Sequence, residues 1–211
     1  MSTVIEPLRS SLEADAVPRL DARSNGTLMS PEEFDAVDDW DRGYRYELIK
    51  GVVIVTPAPG GGERAPNDRL AVWLWRSLES QKGIVLFDET LPEQYIPLPD
   101  GSRRRADRAI WVGLGRPPRL EDDVPAIVIE FCSNSRRDRR RDYEEKRRDY
   151  LGVGVREYWV IDRFQHSMTV FTHDTELKLS ANETYRSPLL PGFELPLARL
   201  LEVADRYGQE S

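Results

Sequence analysis

Four side chains in this sequence are candidates for chemistry. Glu130 lies inside the apolar run Ala126-Ile127-Val128-Ile129-Glu130-Phe131-Cys132. A carboxylate in a buried strand is costly unless a partner or a metal ion compensates its charge. The plainer alternative is a strand-end glutamate that reaches water or an arginine. Asp107 opens the segment Asp107-Arg108-Ala109-Ile110-Trp111, where an acid is also common as turn chemistry. Lys146 is one of four lysines against 26 arginines, and it follows Tyr143 by three residues and precedes Tyr150 by four. At helical spacing these three share a face. An ammonium there either reaches across a sheet edge or snorkels to water. Glu47, in Tyr46-Glu47-Leu48-Ile49, is either functional or an ordinary polar position on a half-exposed hairpin.

The surrounding pattern predicts the elements that carry them. Ser30-Pro31-Glu32-Glu33 is a helix start, with a capping serine, proline at the first helical position and acids in the first turn; the helix is expected to end near Trp40. Tyr46 to Val55 reads as a hairpin around Lys50-Gly51. Gly60-Gly61-Gly62 reads as a mobile loop, followed by a helix over 67–80 with Leu70, Leu74 and Leu78 in register. Gly83 ends that helix and Ile84 to Phe87 begins a strand. Residues 92–98 and 105–112 form a strand pair around Pro99-Asp100-Gly101. The run 126–132 is expected to be a central strand buried on both faces. A basic helix follows to about Leu151, closed by Gly152 and Gly154, and Val155 to Asp162 forms a second apolar strand. Strand, helix, strand over 126–161 is a crossover unit, so part of the sheet is parallel. The segments Met168 to His173 and Glu183 to Pro188 are expected as edge strands, and a short helix lies near 197–203. The fold class is α/β, a mixed sheet with helices on its faces.

Composition bounds the function. At 211 residues the chain suits one sizeable domain with tails. Residues 1–27 read as a flexible arm, 28–204 as the domain and 205–211 as a tail. No run approaches the roughly 18 apolar residues of a membrane helix, and no secretory signal pattern opens the chain, so no membrane partner and a cytoplasmic location are expected. The single cysteine, Cys132, excludes an internal disulfide. The net charge of −7 argues against a protein that coats nucleic acid by bulk electrostatics. Yet residues 136–148 carry eight basic side chains against four acids. That run is either a solvated, ion-paired helix face or a local nucleic-acid contact surface.

The hairpin Tyr46-Glu47-Leu48-Ile49-Lys50-Gly51, the strand Ala106 to Val112, the run Val124 to Ser135, the helix Arg140 to Val155 and the strand Arg156 to Asp162 together resemble the Uma2 family of endonucleases, within the PD-(D/E)XK restriction-endonuclease-like superfamily. The resemblance covers roughly residues 28 to 204 and is strongest from Pro125 to Asp162. It implies a restriction-endonuclease-like fold and a magnesium-dependent phosphodiesterase centre, with manganese as a substitute, acting on DNA. By that resemblance Asp107 and Glu130 are the metal ligands. Lys146 is the catalytic lysine displaced onto the following helix, and Glu47 is an acid contributing to the metal site. The chemistry suits these types. Magnesium takes oxygen ligands, commonly one or two carboxylates plus waters, and an ammonium can orient a water or neutralise charge developing on phosphate. Arg105, Arg137 and Arg140 are the expected backbone contacts, and two centres for two strands suggest a homodimer.

The sequence departs from the family pattern at Ala106 in place of a proline, at Ser133-Asn134 in place of serine-proline, and at Asn67 where a histidine is common. The last departure favours an alternative, a binding module that kept the fold and lost turnover. Cys132 reads as a small core thiol, His166 and His173 as surface residues in a hairpin, and Trp73, Trp75, Trp111 and Trp159 as core.

Overall fold

The computed structural model describes residues 19–80, 87–132 and 135–207. Residues 19–27 pack against the body of the fold, which shortens the expected arm. β1 (Arg19–Leu20) pairs in parallel with β2 (Asp39–Trp40), and Leu20 is buried in one cluster with Phe34, Tyr46, Leu48 and Val53. Between them, α1 (Pro31–Asp35) begins with a capping box: Ser30 Oγ accepts from Glu33 N at 3.1 Å and Glu33 Oε2 from Ser30 N at 2.7 Å. This helix ends at Asp35 because Asp39 and Trp40 are drawn into pairing with β1.

β3 (Tyr44–Ile49) and β4 (Val52–Pro57) form the expected hairpin. Lys50 (φ 51°) and Gly51 (φ 78°) are both left-handed, the geometry of a two-residue turn that matches strand twist. α2 spans Gly61–Ser80, starting six residues before Asn67, so Gly61 and Gly62 are helical and not part of a mobile loop. Their missing side chains permit close approach. A Cβ on Gly61 would lie 2.3 Å from Tyr207 Cδ1, and one on Gly62 2.1 Å from Arg163 Nη1.

β5 (Glu89–Pro97) and β6 (Arg103–Trp111) are antiparallel; the strand expected from Ile84 lies outside the described residues up to 86. β7 (Ile127–Phe131) is buried at every position. The basic segment is helical throughout but not uniform: α3 (Arg136–Arg140), a π turn over Arg141–Lys146, then α4 (Arg147–Gly152). β8 (Glu157–Asp162) returns parallel to β7, completing the crossover. β9 (Ser167–Phe171) lies between β8 and β10 (Glu176–Ser180), so β9 is interior and β10 is the true edge. β10 gave little signal because Leu179 alone among its residues is buried. β11 (Thr184–Tyr185) pairs only with β12 (Leu195–Pro196), ahead of α5 (Leu197–Asp205).

The main sheet runs β10-β9-β8-β7-β6-β3-β4, with β5 also on β6. β5 pairs along the whole length of β6. On the other edge β6 is shared: β7 takes Arg108 to Ile110, while β3 touches only at Leu48 opposite Arg103. β3 and β7 therefore diverge, leaving the β6 backbone from Arg104 to Asp107 without a strand partner on that edge. Apolar layers fill both faces, one around Leu70, Ile110, Ile129 and Trp159, the other around Ala106, Val128, Tyr150 and Tyr158. Trp75 departs from expectation at 41% exposed, edge-on to Phe87. Among the described residues no helix is long and apolar enough to cross a membrane.

Candidate active site

The fork between β3 and β7 needs hydrogen-bond partners for bare backbone, and side chains supply them. Arg105 N donates to Glu47 Oε1 at 2.8 Å, and Arg105 O accepts from Lys146 Nζ at 2.9 Å. The same ammonium donates to Glu130 Oε1 at 2.8 Å and stands 3.6 Å from Glu47 Oε1. Tyr150 OH donates to Glu130 Oε1 at 3.0 Å. Glu130 and Lys146 are each 3% exposed. Asp107 sits where the β6–β7 ladder ends. Its Oδ2 accepts from Phe131 N at 2.6 Å, replacing the next ladder bond, and its carbonyl accepts from Asn67 Nδ2 at 2.8 Å.

Three of the four candidates thus converge. Asp107 and Glu130 line a cavity of about 180 Å³, together with Arg45, Glu63, Arg141 and Asp142, and Lys146 reaches Glu130 from the π turn. Glu47 does not line this cavity. It stands behind Lys146, with Arg104 Nη1 3.5 Å from its Oε2, so it holds the lysine and not the cavity's occupant. Asp142 and Lys146 are the buried residues of the π turn, an irregularity that recurs at functional sites.

Burial and crowding set the protonation of these groups. Burial, reinforced by Asp107 and Asp142 and opposed by Lys146, pushes Glu130 up to about 8. Burial likewise lifts Glu63 to about 7, with Asp107 adding to it, and Asp142 to about 6 against the pull of Lys146 and Arg141. At Glu47 burial is outweighed by Lys146, Arg104 and Arg141, which hold that carboxyl below its usual range. At Lys146 burial is outweighed by Glu130, Glu47 and Asp142, so its pKa rises. Lys146 is therefore a fixed ammonium and not a proton acceptor.

A divalent cation is compatible with this donor set. Asp107 Oδ1 is buried and makes no hydrogen bond; Arg45 Nη1 lies 2.7 Å away but off the line of one. Hard oxygens on Asp107 and Glu130, with Glu63 and Asp142 across the cavity, suit magnesium, which keeps several waters. Arg45 would have to yield Oδ1. Among the described residues no three His, Cys, Asp or Glu side chains already stand close enough to cage an ion.

The arginines divide. Arg137 and Arg140 are exposed, and Arg140 makes only a surface pair with Glu144 at 3.4 Å. Arg105 is half-buried, with Nε 3.0 Å from Glu93 Oε2 and its guanidinium 5.5 Å from the Tyr95 ring centre, turned away from the acidic cavity.

The family model described as Uma2, Putative restriction endonuclease, matches residues 31–198. The chain belongs to the Uma2 family. A crystal structure of a putative nuclease belonging to DUF820 from Anabaena variabilis ATCC 29413 superposes with a TM-score of 0.67 at 15% identity, covering 83% of this chain and 99% of that one. At that identity the likeness establishes a shared fold. No curated protein matches the sequence. In this Uma2 chain, sequence reasoning missed Arg45, Glu63 and Asp142. Asp142 carried a signal, four residues before Lys146 and so on its face. Glu63 carried none, because it fell between the supposed glycine loop at 60–62 and the helix expected from 67. Asn67 tethers the Asp107 carbonyl and accepts from buried Arg108 Nε at 2.6 Å.

Proposed function

We propose that the protein is a magnesium- or manganese-dependent endonuclease hydrolysing phosphodiester bonds in DNA. One observation carries this reading: buried Asp107 and Glu130 from neighbouring strands share a small cavity, with the Lys146 ammonium bonded to one of them. Asp107 and Glu130 would hold the cation, which when bound supplies Lewis-acid chemistry, acidifying water and offsetting charge on the phosphate. Lys146, fixed by Glu130, Arg105 O and Glu47, presents a permanent positive charge for the developing charge on phosphate oxygens. Tyr150 and Glu47 keep that charge aimed. Exposed Arg137 and Arg140 would hold the nucleic-acid backbone without reading sequence, and a homodimer would supply a centre for each strand.

A second reading, a binding module without turnover, is favoured by Arg45, whose guanidinium stands on the Asp107 oxygen a cation would use. Nicking of supercoiled plasmid with magnesium or manganese separates the two. The nuclease reading expects nicking by the wild type and none by Glu130→Ala. Intact plasmid under every metal, with DNA binding retained, overturns it in favour of the binding module.

A further inference from the structure

A second and larger cavity has a volume of about 450 Å³, within the roughly 300–1,000 Å³ typical of small-ligand pockets. Its walls include Phe34, Trp40, Tyr46, Tyr95, Arg105 and Leu120. Phe34 and Tyr95 meet edge to face with centroids 5.7 Å apart. Trp40 and Leu120 are 48% and 43% exposed, a large apolar surface left open to solvent. Its polar element is half-buried Arg105, whose buried Nε lies 3.0 Å from the buried Glu93 Oε2 in an ion pair. Arg103, the other guanidinium here, is already held by both oxygens of Asp35.

A chain of ion pairs links the wall of this cavity to the wall of the acidic one. Arg105 meets Glu93, Glu93 also pairs with Arg45, and Arg45 meets Asp107. Arg105 and Asp107 are two residues apart on β6, about 7 Å at the rise of a strand. Resting on the nucleic-acid reading of the acidic site, we infer that the aromatic cavity takes one unpaired nucleobase of a single-stranded segment crossing that site. The base stacks on Trp40, and its phosphate meets the Arg105 guanidinium. Every base offers a π-face to such a ring, and a guanidinium takes phosphate oxygens in charge-assisted hydrogen bonds.

The test is binding of a labelled oligothymidylate to the full chain in EDTA, by fluorescence anisotropy, which needs no cleavage. Trp40→Ala is expected to weaken binding about ten-fold, since loss of one stacking partner costs on the order of 1–3 kcal/mol. Leu120→Ser, on a loop outside the sheet, moves affinity in the same direction. An abasic sugar–phosphate oligomer is expected to bind wild type and Trp40→Ala alike. Equal oligothymidylate affinity in both Trp40 forms overturns the inference, as does an equal loss for the abasic oligomer. It is also overturned if Trp40→Ala spares oligonucleotide binding but abolishes a concentration-dependent self-association, which would make a second copy the occupant. Nicking without Trp40-dependent binding sinks the pocket alone; Trp40-dependent binding without nicking under any metal sinks the nuclease reading alone.

Discussion

Lys146→Met removes an ammonium bonded to Glu130 Oε1 at 2.8 Å and Arg105 O at 2.9 Å, and placed 3.6 Å from Glu47 Oε1. Breaking a buried ion pair from one side costs about 3–5 kcal/mol, because it strands the remaining charge. The lower end of that range is expected for the variant at pH 8, where Glu130, titrating at about 8, is about half ionised and can take up a proton once the lysine is gone. In a Glu130→Gln background the stranded charge is gone, and only the bond to the Arg105 carbonyl and the attraction to Glu47 are lost. Lys146→Met should then cost about 2 kcal/mol, the scale of a hydrogen bond to a charged group. A double-mutant cycle by urea unfolding at pH 8 should therefore give a coupling of at least about 1 kcal/mol, well above the roughly 0.3–0.5 kcal/mol of independent sites. Additive costs would refute the reasoning, since they would mean that Lys146 stabilises the fold without regard to the charge on Glu130.

Metal-free stability should fall as pH rises from 5 to 8. The folded-state pKa values of Asp142 (about 6), Glu63 (about 7) and Glu130 (about 8) all lie above ordinary carboxyl values. The penalty is absent below the unfolded pKa, grows while the unfolded chain ionises and the folded group stays protonated, and levels off above the folded pKa. Magnesium should raise the melting temperature more at pH 8 than at pH 5.5; a melting temperature in EDTA that holds or rises across this window contradicts the assignment. Asn67→Ala should cost about 2–4 kcal/mol by chemical denaturation, because it strips partners from the Asp107 carbonyl and from Arg108. Arg108 is buried, and burial already draws its pKa down to about 10. A loss under 1 kcal/mol would show that water replaces the amide.

The central strands, the crossover and the hairpin were legible because each has a simple period or a continuous apolar run: Ile127 to Phe131 and Glu157 to Asp162 are buried throughout. Glu130 and Lys146 were legible for the converse reason, as charges placed where charge is costly. The helix over Gly61 to Pro66 was not, since three glycines and a proline speak locally for a loop, and only the approach of Tyr207 and Arg163, far along the chain, selects helix. The π turn was equally hidden, because nothing in Arg141 to Lys146 distinguishes it from an α-helix. Glu47 was expected at the metal site, but its place behind Lys146 depends on the divergence of β3 from β7, a feature of three dimensions.

That divergence has a mechanical consequence. The hairpin joins the rest of the sheet by one backbone pair, Leu48 opposite Arg103, and by side-chain bridges such as Tyr95 OH to Tyr46 O. Lys146 and Glu47 span the remaining opening like a clasp. The charge that would face a phosphate is thus also a fastening between two halves of the molecule. A descendant that discards the lysine must find another way to keep its first hairpin shut.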